Sequence, residues 1–244
     1  MQSGNHNDDG NAGRIAVFSA GGLRGEVYRS REEAAAAASR AVGDHLRRLI
    51  AERGRAIGLF DSAPSLAPFL ERLAREQVTW TRVIALQTGE FAGLGEDAPQ
   101  SRRFSLLERL VKRVPIVEFH GLRGEAPNLP AVAANYAALL ASRPPDFAVL
   151  ELGPQGELGF LDSRACDFND PASVRVVAAG DALSVTVPVI LGCARLFLVI
   201  AGAAYRPAVR DLLRGEISPA RPASILRTHE NVSLFLDATA APAD

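Results

Sequence analysis

Four stretches of the chain hold the side chains that could do chemistry. They read Phe60-Asp61-Ser62-Ala63-Pro64-Ser65, Gln87-Thr88-Gly89-Glu90-Phe91-Ala92-Gly93-Leu94, Gly153-Pro154-Gln155-Gly156-Glu157-Leu158-Gly159-Phe160 and Gly202-Ala203-Ala204-Tyr205-Arg206. Each follows a short apolar run, and glycine, proline and serine mark each as a turn. Their carboxylates suit proton transfer. Ser62 and Ser65 supply hydroxyls, and Arg206 supplies a guanidinium. His45, His120 and His229 stand apart from these loops, with no Ser/His/Asp or Cys/His arrangement around them. No His/Cys spacing suggests a metal, and no cofactor is implied.

The elements that must position these loops alternate. Ser30-Arg31-Glu32-Glu33 has the form of a capping box and opens a helix to about Glu52. Strands are expected at 55–60, 82–87, 115–119 and 146–152, with helices at 65–76, 102–112 and 129–142. Short β-branched runs follow at 174–177 and 183–187, with Gly180-Asp181 as the turn between them. Pro188 fits the first turn of a helix ending near Cys193. A strand at 196–200, a helix at 205–214 and a strand at 232–236 close the order. Continuous apolar strands alternating with helices imply a mostly parallel α/β sheet with helices on both faces. Any site then sits at the carboxyl ends of the strands.

The chain has 244 residues, 48% of them apolar, enough for one domain with a large core. We expect a disordered polar tail at 1–14 and a single domain at 15–244. Lys+Arg 27 against Asp+Glu 28 leaves a net charge of −1. Such a balance gives no general field for nucleic acid or an anionic membrane. The apolar stretch 185–205 is too punctuated to span a bilayer. Cys166 and Cys193 form no disulfide framework and read as small buried residues, which points to a reducing, cytoplasmic setting.

The four loops and their surroundings resemble the glucosamine-6-phosphate deaminase/isomerase family, whose relatives include the 6-phosphogluconolactonases. The resemblance runs from about Ala56 to Ala240. It is most specific at Pro222-Ala223-Ser224-Ile225-Leu226-Arg227-Thr228-His229, Asn231-Val232 and Leu236-Asp237, and continues through 121–129 and 162–171. It implies a sugar-phosphate site and a deaminase/lactonase-type fold.

The resemblance also implies roles, position by position. The family cradles phosphate on a Gly/Ser/Thr loop; here Asp61-Ser62-Ala63-Pro64 stands there, leaving Ser62 as a candidate donor. The family's catalytic aspartate falls at Gly89, with Glu90 beside it. Its ring-opening loop falls at Gly153-Pro154-Gln155-Gly156-Glu157, where Glu157 replaces the histidine and Asp162 takes the place of the orienting acid. Its lysine falls at Tyr205, with Arg206 adjacent. A lid that follows the 162–171 segment in the family is reduced here to Ala178-Ala179-Gly180-Asp181. Candidate catalytic residues are therefore Glu90, Glu157 and Asp162, and candidate ligand-binding residues are Ser62, Gly153, Gln155 and Arg206.

Three readings stay open. One is a member without deaminase activity that keeps at most a ligand-binding or scaffolding role. Another is an active isomerase or deaminase with a rearranged acidic site. The third is a structural or regulatory subunit that binds protein. A sugar-phosphate-like ligand and a homo-oligomer are the candidate partners.

Overall fold

The computed structural model describes residues 13–177 and 181–242. The tail expected at 1–14 lies outside the described residues as far as residue 12, and a strand already begins at Arg14. The turn residues 178–180 also lie outside them.

The chain builds β1 (Arg14–Ala20), β2 (Leu23–Tyr28), α1 (Arg31–Arg53), β3 (Ala56–Phe60), α2 (Ala67–Leu73), β4 (Val83–Gln87), β5 (Gly89–Phe91), α3 (Arg102–Leu106), β6 (Glu118–His120), α4 (Leu129–Ser142), β7 (Phe147–Leu150), β8 (Val174–Val177), β9 (Ala182–Val185), α5 (Val187–Leu191), β10 (Arg195–Ile200), α6 (Arg206–Arg214) and β11 (Val232–Asp237). Eight strands form one sheet in the order β1-β2-β11-β10-β7-β3-β4-β6. All neighbours are parallel except β1 with β2. A separate antiparallel sheet joins β5, β9 and β8.

Alternation along each strand divides the core between two faces. Leu59, Leu86, Leu150 and Leu198 pack on the side of α4 and α6, with Tyr136 and Leu212. Phe60, Ala85, Phe147, Val149 and Phe197 pack on the side of α1 and α2, with Leu46 and Phe69. The expected α/β architecture holds. At α1 both halves of the capping box form, with Glu33 N–H donating to Ser30 Oγ and Ser30 N–H to Glu33. Gly54, at φ 73, ends the helix in the left-handed conformation glycine tolerates.

Several boundaries differ from expectation. β1 and β2, though unforeseen, extend the sheet beyond β11. The helix expected at 102–112 is α-helical only to Leu106, then widens into a π turn at Leu107–Val111. Residues 89–91, read as loop, pair with β9. Both cysteines are buried and free. Among the described residues, no helix is long and apolar enough to cross a membrane.

Candidate functional site

The carboxyl ends of β10, β7, β3 and β4 lie side by side in the sheet, and the cleft expected there takes its character from the loop after β3. Asp61 and Ser62 are both buried. Asp61 turns its carboxylate back on its own loop, so that Oδ1 accepts the Ser62 N–H at 2.7 Å and the Ala63 N–H at 3.1 Å. An anion entering at this turn would seek those same N–H groups. Ser62 Oγ donates to the Arg102 carbonyl at 2.6 Å. Ser62 therefore fastens the loop to α3 rather than offering a free hydroxyl.

Glu90 is fully buried and accepts five hydrogen bonds. They come from the Gln87 side chain, the Ser101 hydroxyl and the N–H groups of Phe91, Arg102 and Arg103. Two of those N–H groups begin α3, where a carboxylate complements the helix terminus. Every lone pair is engaged within the fold, so Glu90 acts as a clamp between β5 and α3.

Gly89 lies against Phe160. A Cβ at position 89 would fall 2.5 Å from Phe160 Cδ2 and 2.9 Å from the Leu183 carbonyl. The Phe160 ring thus fills the space a side chain at 89 would need. It also meets Phe91 edge-on, with centroids 4.7 Å apart. The Arg102 guanidinium lies 5.6 Å from the centroid of each ring, and its Nε and Nη1 are buried without hydrogen-bond partners among the described residues.

The sequence reading did not single out Glu151, which the structure places just after β7 against Ser65 and Arg102. Ser65 Oγ donates to Glu151 Oε1 at 2.5 Å, and Arg102 Nη2 lies 3.8 Å from Oε2. Burial, reinforced by the charges of Asp61 and Glu157, pushes the Glu151 carboxyl up to about 7. Ser65 and Arg102 oppose that rise. Tyr205 lies in the same field: burial and then the Glu151 charge raise its phenol, and Ser65 pulls it down. Glu151 directly follows β7, at the position that in an open sheet of this kind is most often functional. Its place after an apolar strand was the available signal.

The remaining candidates are scattered. Glu157 folds over Gly153, where a Cβ would lie 2.2 Å from Glu157 Oε2, and accepts the Gln155 N–H at 2.8 Å. Gly153 and Gln155 are therefore part of a self-closed turn. Glu157 acts on Glu151, whereas Asp162 is held by Arg164, whose hydrogen bonds lower its carboxyl. Asp162 lines a separate cavity of about 610 Å³ with Asp170, Arg175 and Asp181. Arg206 directs Nε to the Thr239 carbonyl at 3.1 Å, away from the cleft. It begins α6, so its side chain leaves the helix in a different direction from that of Tyr205. Among the described residues, no group of three or more His, Cys, Asp or Glu is placed to hold a metal.

The model for glucosamine-6-phosphate isomerases/6-phosphogluconolactonase matches residues 29–234. The chain belongs to that family. A glucosamine-6-phosphate deaminase of Streptococcus uberis is 25% identical over 212 residues, which cover 80% of this chain and 90% of the relative. One from Bacillus cereus is 24% identical over 198 residues, covering 74% and 75%. A solved monomeric glucosamine-6-phosphate deaminase superposes with a TM-score of 0.79 at 24% identity, spanning 89% of this chain and 98% of that one. A 6-phosphogluconolactonase from Shewanella baltica superposes at 0.78 with 17% identity, spanning 91% and 100%. The parallel sheet and its helices are thus the family fold.

Proposed function

We propose that this family member does not deaminate or isomerise amino-sugar phosphates and that its cleft no longer takes a phosphate. The carrying observation is the Asp61 carboxylate, which already accepts the Ser62 and Ala63 N–H groups. A phosphate would have to displace a buried, hydrogen-bonded anion and then lie beside it. Like charges this close oppose binding, whereas a helix terminus favours an anion by only about 0.3–1 kcal/mol. The Gly89–Phe160 packing supports the same reading, because it fills the position the family gives to its proton-abstracting aspartate.

The purified protein is expected to release no ammonia from glucosamine 6-phosphate above background. Calorimetry should detect no micromolar binding of a hexose phosphate in the cleft, and Asp61→Thr should create measurable affinity. Turnover by the unmodified chain would overturn the proposal.

A second reading rests on Glu151. A carboxyl with a pKa near neutrality, beside Ser65 and Tyr205, is suited to acid–base work. On that reading the cleft is a rearranged acidic site acting on a sugar-phosphate-like substrate. Isomerase or deaminase turnover abolished by Glu151→Gln would establish it, and unchanged turnover in that variant would exclude it.

A further inference from the structure

The opposite pole of the sheet, at the amino ends of the strands, carries a different charge arrangement. Arg24 is the second residue of β2 and stands in register with Ser233 of β11. Arg195 opens β10 and donates through Nη2 to Ser233 Oγ at 3.1 Å. Its guanidinium lies 5.1 Å from the centroid of Phe197. His45 of α1 packs on Phe197 too, its ring centroid 5.6 Å away. Arg48 follows on the same helix face, three residues further on. β2, β10 and β11 therefore bring Arg24 and Arg195 to Ser233, and the end of α1, which packs on β10 and β11, adds Arg48 at the same pole.

None of Arg24, Arg48 and Arg195 has a carboxylate partner in the ion pairs among the described residues. Two neighbours on α1 do, Arg53 with Asp146 and Arg47 with Asp44. Arg195 Nε is buried and unpartnered. Burial, and after it the charges of Arg48 and Arg24, depress the Arg195 guanidinium. His45 is 8% exposed, and both of its ring nitrogens lack hydrogen-bond partners among the described residues. In a chain with net charge −1, such a knot of like charge is a local feature, not a background one.

We infer that Arg24, Arg48 and Arg195 form a binding site for a phosphate group, at the pole of the sheet opposite the cleft. Guanidinium forks match phosphate oxygens in geometry and charge. A dianion seated there would remove the mutual repulsion that the fold now leaves uncompensated. The site is independent of the cleft, because its three arginines lie at the amino ends of the strands, so it stands whether or not the cleft has lost phosphate.

The test uses inorganic phosphate, pyrophosphate and glucose 6-phosphate against chloride at equal ionic strength, with binding read by calorimetry and by the NMR signal of His45. We expect saturable binding of phosphate by the unmodified protein. Affinity should fall at least about tenfold in Arg24→Gln and Arg48→Gln, both exposed positions whose replacement spares the core. Phosphate should also raise the His45 pKa from its low value of about 4, since the groups facing it are Arg48 and Arg53 of α1 and Arg195 of β10. A cleft-bound phosphate would leave His45 unmoved. Glucose 6-phosphate binding as tightly as inorganic phosphate would mark a sugar phosphate as ligand, and its exclusion would mark the free ion; either supports the site. No binding beyond chloride, or binding unchanged in both arginine variants with His45 unmoved, would overturn it.

Discussion

Replacing His45 with leucine should make the protein more stable, by an amount that grows as the pH falls. His45 is enclosed by Phe147 and Phe197, whose ring centroids lie 5.4 and 5.6 Å away. Burial is the main cause that lowers its pKa from 6.5 to about 4, with Arg195, Arg48 and Arg53 adding to it. Between those two pH values the unfolded chain takes up a proton that the folded chain refuses. Stability therefore falls as the pH drops from about 6.5 towards 4, and it falls no further below that. At about 1.4 kcal/mol per pH unit, the gap sets a ceiling of about 3 kcal/mol. Leucine removes the titration and also two unpartnered ring nitrogens, so a gain of about 1 kcal/mol should already be present at pH 7.5. Urea unfolding of both chains at pH 7.5, 6, 5 and 4.5, in chloride buffers, measures the difference. The difference should widen steadily to pH 4.5, and the His45 ring should titrate well below 6 by NMR. A constant difference across that range, or a His45 pKa near 6.5, would refute the argument.

Three other substitutions probe the cleft. For Glu151 the sign reverses: a carboxyl raised to about 7 makes the folded chain the better proton acceptor, so stability is lost as pH rises from about 4.5 to 7. Glu151→Gln should then stabilise by roughly 1–3 kcal/mol at pH 8 and by little at pH 4, as thermal melts at the two pH values would show. Glu90→Ala should cost more than about 3 kcal/mol in urea, because three N–H groups and the Ser101 hydroxyl lose their acceptor. Gly89→Ala should destabilise by about 1–3 kcal/mol through overlap with Phe160, and adding Phe160→Ala should recover part of that loss. Strict additivity of the pair would show that the ring does not fill that space.

The fold was legible because its signals are local and repeated. Leu129–Ser142 matches the expected helix to the residue, with Asn128 accepting the Ala131 N–H at its start. The apolar runs became β3, β4, β7, β10 and β11. β2 was visible in principle, since Leu23, Gly25 and Val27 are buried and Arg24 is exposed. β1 was not, because four of its seven positions are exposed and no apolar period marks it. The site was less legible. Family position could point to Asp61, Gly89 and Glu157, but not to what each touches. Asp61 bonding its own loop, Phe160 reaching across to Gly89 and Glu157 folding onto Gly153 depend on contacts between or within loops that spacing does not encode. Glu151 escaped because an acid at a strand end is common, and only burial beside Asp61 and Glu157 sets it apart.

The carboxylate of Asp61 has one further consequence, for abundance in the cell. A protein whose binding loop is ordered by a free metabolite gains stability by mass action as that metabolite accumulates, by about 2.7 kcal/mol at a hundred times the dissociation constant. A loop whose N–H groups are already held by its own tethered carboxylate is not expected to show that dependence. Turnover of this chain by proteases should therefore not follow occupancy of that turn by a phosphate. On the proposed reading the cleft end of the molecule adds no dependence on metabolite level to the stability of the fold, and any such dependence enters at the opposite pole.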